Sequence, residues 1–183
     1  MTVSLLRHQT TGLIVVDAQT KLLGVMKRGQ AVVDNIVRLL HLADRFDLPV
    51  IVTEQYARLM GPIVQDIVIK LPESVFVKKM DFNCCAVDEF NDRLGATGAK
   101  SVVLTGFETH ICILQTGLSL LEAGYVVHVP QDAVDSRTDE NWRVGIEQMR
   151  EAGVVISSTE AVIFQLLGKA GTPEFKDMLR IIE

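Results

Sequence analysis

The stretch Thr105–Thr116, TGFETHICILQT, decides how the rest of the chain is read. It follows Ser101–Leu104, SVVL, a short β-branched apolar run bounded by Lys100 and Gly106. After it, Ile113, Leu114, Leu118, Leu120 and Leu121 recur at helical spacing up to Gly124, a C-terminal stop signal. A buried strand therefore feeds directly into a helix, and the turn between them holds Glu108, Thr109, His110 and Cys112. With Thr109 as N-cap, Cys112 falls in the first helical turn, where unpaired N–H groups and the positive dipole end favour a thiolate. Taken alone, the window reads first as a small buried hydrophobe, the usual state of a free cysteine.

Outward from this unit the same alternation continues. Leu13–Val16 reads as a buried strand ending at Asp17, and Gly29–Phe46 carries the apolar spacing of an amphipathic helix. Pro49 introduces the strand PVIVT, which hands over to Glu54, Gln55 and Tyr56. Gly61 and Pro62 indicate a loop before a short helix. Ser74–Phe82 is a third strand with paired lysines, Lys78 and Lys79, and Val87–Leu94 a helix. Gly124–Pro130 and VVIS (Val154–Ser157) are further strands; Glu140–Gly153, Ser158–Leu167 and a segment from Pro173 to Ile182 are helices. Continuously apolar strands alternating with helices predict one three-layer αβα domain over residues 1–183, built on a six-stranded, mainly parallel, Rossmann-like sheet.

Composition narrows the function. A net charge of −5 and no Lys/Arg run longer than a pair argue against nucleic acid as partner. No apolar run is long enough to span a bilayer, and MTVSLLRHQT lacks a signal peptide's apolar core. Three cysteines, an odd number, make no disulfide framework, so a reducing cytoplasm is expected. Neither G-x-G-x-x-G nor a P-loop follows the first strand, so no cofactor is expected.

In a parallel sheet, ligands bind outside the carboxyl ends of the strands. Listing those ends gives Asp17, Glu54, Lys78 with Lys79, and the Glu108–Cys112 turn. Asp17 can take a thiol proton, Lys79 can hold the charges of Asp17 and Cys112, and Cys112 can attack a carbonyl. Backbone N–H groups in the turn suit the resulting oxyanion. Each residue alone has an ordinary reading as cap, solvated strand end or core; their convergence is what points to a site.

VVDAQ, KKMDFN, TGFETHICILQTGLSLLEAGY and VPQDAVDSR resemble the isochorismatase-like cysteine hydrolases, over nearly the whole chain. TEQY and the C-terminal STEAVIFQLLGKAGTPEFKDMLRII are similar to a small isochorismatase-domain subgroup. The resemblance implies an Asp17–Lys79–Cys112 triad, Lys79 rather than Lys78 because the family lysine lies three residues before the aromatic, here Phe82. It implies a cis peptide at Phe107–Glu108 that would aim the Glu108 and Cys112 N–H groups at one oxyanion, and it suggests a homo-oligomer. Nicotinamidases of this superfamily carry an Asp-x-His…His metal motif where this chain reads TEQYARLMGP, so no metal is expected. His8, His41, His110 and His128 are isolated, and His110 cannot face Cys112 from two positions away on a helix. Cys84 and Cys85 read as packing residues. Gln19, Gln55 and Tyr56 are expected to line the pocket; Leu23, Phe82 and Phe107 read either as apolar walls or as plain core packing.

The leading expectation is a metal-independent cysteine hydrolase acting on a small amide or related acyl compound through a Cys112 thioester. The alternatives are vinyl-ether hydrolysis by Asp17 and Lys79 without the thiol, and a catalytically idle oligomeric binding module. A redox thiol is weaker, since no resolving cysteine lies near Cys112 in sequence. Helix N-terminus and Lys79 together predict a Cys112 pKa below the free-cysteine value of about 8.5, provided Lys79 offsets Asp17.

Overall fold

The structure, a computed structural model, describes residues 5–69, 71 and 76–182. Its strands are β1 Thr11–Val16, β2 Val50–Gln55, β3 Phe76–Lys79, β4 Ser101–Phe107, β5 Val126–Pro130, β6 Val134–Asp135 and β7 Val155–Ser157. They form one sheet in the order β3-β2-β1-β4-β5-β7, with β6 paired to the end of β4. All of these pairings are parallel. The six expected strands are present; the two-residue β6 is an addition, too short to register as a periodic run. Ser74 and Val75, the start of the expected third strand, lie outside the described residues.

The helices are α1 Thr20–Leu23, α2 Gly29–Phe46, α3 Ala57–Met60, α4 Gln65–Val68, α5 Asp88–Ala96, α6 Leu114–Glu122, α7 Asp139–Ala152, α8 Thr159–Leu167 and α9 Pro173–Ile182. Side chains of β1 alternate between the two faces: Leu13 and Val15 pack with α2, α8 and α9, whereas Ile14 and Val16 pack with α5, α6 and α7. That is the three-layer arrangement, and it explains why β1 is buried along its whole length. Helix α2 turns Val32, Val33, Ile36, Leu39, Leu40 and Ala43 inward. It ends where Asp47 turns left-handed (φ 51°) and Leu48 N–H caps the Ala43 carbonyl at 2.9 Å. Truncating a fully enclosed side chain such as Ile36 to alanine is expected to cost about 3 kcal/mol.

Strand order reverses between β1 and β4, which opens the crevice in which doubly wound sheets bind ligands. Gly106 permits this closeness. It sits at φ 126°, and a Cβ there would lie 1.9 Å from the Val16 carbonyl oxygen. No side chain larger than hydrogen fits.

Candidate active site

Three side chains meet at the carboxyl edge beside that crevice. Asp17 follows β1 at φ 51°, a left-handed turn that takes its carboxylate out of the strand line. The carboxylate is wholly buried; one oxygen accepts from Thr53 Oγ1 at 2.7 Å and the other from Lys79 Nζ at 2.6 Å. Lys79, last in β3, also donates to Gln55 Oε1 at 2.7 Å, with the Asp81 and Phe82 carbonyls at 3.2 and 3.4 Å. Its Nζ lies 3.8 Å from Cys112 Sγ. Burial alone would lower the Lys79 pKa, but the Asp17 charge raises it above its ordinary value. The ammonium stays charged.

The thiol behaves differently from expectation. Burial, then the charge of Asp17, raises the Cys112 pKa above that of an ordinary thiol; Lys79 pulls the other way and loses. The expected thiolate is therefore a neutral thiol at rest. The negative charge of Asp17 favours keeping the proton on the sulfur.

The turn that carries Cys112 also departs from expectation. Glu108, not Thr109, is the cap, and Thr109–Ile113 is a π-helical turn running into α6. The Glu108 carbonyl accepts from Ile111 N–H at 2.9 Å and Ile113 N–H at 3.4 Å. The Phe107–Glu108 peptide is trans rather than cis; Glu108 turns the chain by taking φ 61°. From outside, α7 presses on this turn at Gly145, where a Cβ would lie 3.0 Å from His110 Cα, His110 N and the Thr109 carbonyl carbon. His110 points away from Cys112 chemistry: its Nδ1 is 3.0 Å from Ser136 Oγ and 3.4 Å from Glu108 Oε2. The other Glu108 oxygen is 2.8 Å from Arg137 Nε.

The expected pocket residues divide. Gln19 is fully enclosed and acts as a strap: its amide donates to the Gln55 and Gly61 carbonyls at 3.1 and 2.7 Å and accepts from Gln55 N–H at 2.9 Å. Gln55 holds Lys79 and donates to the Met80 carbonyl at 2.8 Å. Gln19 has no amide proton left for a ligand, whereas the second Nε2 proton of Gln55 has no hydrogen-bond partner among the described residues. Phe107 is fully buried on the α2 side of the sheet, the face opposite Cys112, so it is core and not a pocket wall. Tyr56 and Phe82 are exposed. Tyr56 and Met80 line a cleft of about 330 Å³ with Glu54, Ala57, Arg58, Lys78 and Lys79.

Two neighbours were not expected. Cys84, fully buried, stands 3.9 Å from Thr53 Oγ1 and shares the Asp17 environment, so it belongs to the back of this cluster. Burial and the Asp17 charge lift its pKa to about 11. Thr53 is the other; a hydroxyl at the end of an otherwise apolar strand was the available signal. Among the described residues, no three His, Cys, Asp or Glu side chains come together in a way that could hold a metal ion. No described helix is long and apolar enough to cross a membrane.

Known proteins resemble this chain in sequence and fold. The family profile for the isochorismatase domain matches residues 11–161. A secreted isochorismatase effector, Isc1, of Phytophthora sojae is 38% identical over 175 residues, covering 93% of this chain and 83% of the relative. Isochorismatase domain-containing protein 2 of Xenopus laevis is 32% identical over 177 residues, covering 97% and 85%. A solved structure described as MAR1 ribonuclease from Caenorhabditis elegans superposes with a TM-score of 0.93 at 32% identity, covering 98% of this chain and 92% of that one.

Proposed function

The chain belongs to the isochorismatase family and is a hydrolase of that family, and from that premise we propose that it is a metal-independent cysteine hydrolase cleaving a small amide or related acyl compound through a thioester on Cys112. The observation that carries this reading is the buried Asp17 carboxylate, held at 2.6 Å by Lys79, whose Nζ also lies 3.8 Å from the Cys112 Sγ.

A protonated thiol needs a base at the moment of attack. Asp17 takes the proton as sulfur adds to the carbonyl carbon, and Lys79 stabilises the negative charge while it is shared among sulfur, carboxylate and oxyanion. The backbone N–H groups of Glu108 and Cys112 are the proposed oxyanion donors, brought to the turn by the left-handed Glu108 rather than by a cis peptide, and loss of one such donor costs about 3 kcal/mol. Collapse of the adduct breaks the C–N bond, and the amine leaves with the proton held on Asp17. Water then adds to the thioester, giving its proton to Asp17, and carbon–sulfur cleavage releases the acid and restores the thiol. Amide plus water has become acid plus amine, with no other reactant.

The raised thiol pKa gives the vinyl-ether route a specific support, since Asp17 and Lys79 there act without the sulfur. Ribonuclease activity, taken from the description of the C. elegans relative, is opposed by the net charge of −5. Release of ammonia or acid from a panel of small amides, ureides and acyl compounds, compared between wild type and Cys112→Ala, tests the proposal. Loss of turnover in the alanine variant supports the thioester; near-wild-type turnover removes it and leaves the vinyl-ether chemistry. The free Cys84, Cys85 and Cys112 thiols suit a cytoplasmic setting, and the exposed Tyr56, Met80 and Phe82 suit coverage by another copy in a homo-oligomer.

A further inference from the structure

Lys79 has more acceptors around it than protons to give. Asp17 Oδ2 and Gln55 Oε1 stand 2.6 and 2.7 Å from its Nζ, the Asp81 and Phe82 carbonyls 3.2 and 3.4 Å, and Cys112 Sγ 3.8 Å. An ammonium carries three N–H donors. The two shortest contacts take two of them and the carbonyl pair takes the third, so at rest none is left for the sulfur. The lysine then acts on Cys112 only through its field.

Gln55 is fixed where it can hold one of those protons. Strand alternation puts Thr53 and Gln55 on the face of β2 that also carries Ile51, the face of Cys84 and Cys112. Parallel register sets Gln55 beside Lys79. The Thr53 hydroxyl fixes the Asp17 carboxylate at 2.7 Å and the Gln55 amide oxygen fixes the ammonium, so β2 holds both charges. The amide has one usable orientation: Lys79 can only donate, and the Met80 carbonyl, 2.8 Å from Nε2, can only accept. The Gln55 backbone is held in turn by Gln19, at 2.9 Å from its N–H and 3.1 Å from its carbonyl.

We propose that Gln55 is a positioning residue for Lys79: its amide oxygen holds one ammonium proton on the β2 side of the site and so withholds it from Cys112, keeping the nucleophile neutral until a substrate is in place. Leucine at this position would leave the ammonium with a proton to spare, and the sulfur is the acceptor at hand. Sharing that proton stabilises the thiolate. Glutamate would add a negative charge beside Lys79, hold the ammonium more firmly and disfavour the thiolate. The two changes therefore act in opposite directions, which a loss of packing or an entry of water would not do. The titratable groups that act on the sulfur are Asp17 from the end of β1, Lys79 from β3 and Cys84 from the segment before α5. The inference rests on reading Asp17, Lys79 and Cys112 as one site.

The test is the rate of alkylation by iodoacetamide at about pH 8, resolved cysteine by cysteine by mass spectrometry in wild type, Gln55→Leu, Gln55→Glu and Gln55→Leu/Lys79→Met. Cys112 should react about tenfold faster in Gln55→Leu, the gain in thiolate from a shift of one pKa unit. It should react more slowly than wild type in Gln55→Glu, and no faster than wild type in the double variant, where the ammonium is gone. Cys84 and Cys85 are internal controls and should keep their rates. Equal Cys112 rates in wild type and both single variants overturn the proposal. So does acceleration of all three cysteines together, or a double variant as fast as Gln55→Leu. Where a leucine variant does not fold, Gln55→Glu decides alone: a Cys112 rate at or above wild type overturns the proposal and a slower one sustains it. Labelling needs no substrate, so the two readings fail separately. Near-wild-type turnover by Cys112→Ala would remove the thioester and leave the role of Gln55 standing, whereas equal labelling rates would remove that role and leave the thioester untouched.

Discussion

Two fully buried carboxylates sit at the same edge of the sheet, Asp17 after β1 and Asp135 at the end of β6, and they are used in opposite ways. Asp135 is bound on every side by one residue: it accepts from Arg28 N–H at 2.8 Å, Nε at 3.1 Å and Nη2 at 2.7 Å. Its partner is half in water and stacks on Trp142, so the pair fastens the approach to α2 onto β6 and α7. Asp17 is paired to a lysine with no exposure, whose ammonium lies 3.8 Å from an ionisable thiol. A carboxylate held by a guanidinium on one oxygen and a backbone N–H on the other holds chain together. One whose charge acts on a protonated sulfur can move a proton. The difference lies in the partners, not in burial.

The largest test of that contrast is at Asp17. Asp17→Asn should lower kcat about a thousandfold and, by leaving the Lys79 ammonium buried and unpaired, destabilise the fold by about 3–5 kcal/mol. The double variant Asp17→Asn/Lys79→Met should regain much of that stability in denaturant melts and none of the activity. Recovery of activity in the double variant would break the distinction.

His128 extends the comparison to a buried polar group with no hydrogen-bond partner among the described residues. Neither ring nitrogen makes a hydrogen bond, and burial lowers its pKa to about 4. The fold therefore keeps His128 neutral. Above pH 6.5 both folded and unfolded forms are neutral and the group has no effect. As pH falls from about 6.5 to about 4, the unfolded chain takes a proton that the fold refuses, and about 3 kcal/mol of stability is lost. His128→Leu should remove that slope, read as the difference between wild-type and variant melts across this range. Parallel slopes for the two proteins would contradict it.

At Asp135 the effect should be smaller and purely structural. Asp135→Asn is expected to cost about 2 kcal/mol, because Arg28 can return to water, while kcat stays within a few-fold of wild type. A thousandfold loss of kcat would erase the contrast with Asp17.

The smallest effect is expected at Gly145, which presses on the Cys112 turn without touching the reacting groups. Gly145→Ala should displace that turn by a few tenths of an ångström, lowering kcat several-fold with about 1 kcal/mol of stability lost. A kcat equal to wild type would show that α7 does not help to aim the turn.

Much of this was visible in the amino-acid order, for a physical reason. In a parallel sheet every strand points the same way, so residues that end strands far apart in sequence share one edge; that is how Asp17, Lys79 and Cys112 could be grouped. Helical spacing was equally legible, Gly29–Phe46 to the residue, whereas strand ends were not: the third strand, expected over 74–82, ends at Lys79, and the fourth, expected to stop at Leu104, runs on to Phe107. Side-chain direction was harder. Glu108 sits at φ 61°, and a left-handed residue at a strand end breaks the alternation that direction is read from. Phe107 follows that alternation, two residues on from Thr105 and four from Val103, and its placement on the α2 face could have been read from period two. Cys84 and Arg137 escaped because their contacts come from register and from the two-residue β6, neither of which leaves a periodic trace. The thiol pKa was misread in sign because sequence reveals a charged neighbour more readily than the loss of water around it.

The central claim is that Cys112 rests as a neutral thiol whose proton Asp17 receives. Its most direct test is the pH dependence of Cys112 alkylation by iodoacetamide, followed residue by residue by mass spectrometry in wild type and Asp17→Asn. The predicted result is slow labelling at neutral pH, a midpoint above the free-thiol value of about 8.5, and a lower midpoint in Asp17→Asn, where the carboxylate charge is gone. Rapid labelling of wild-type Cys112 at pH 7, with a midpoint below that value and unmoved by Asp17→Asn, would contradict it.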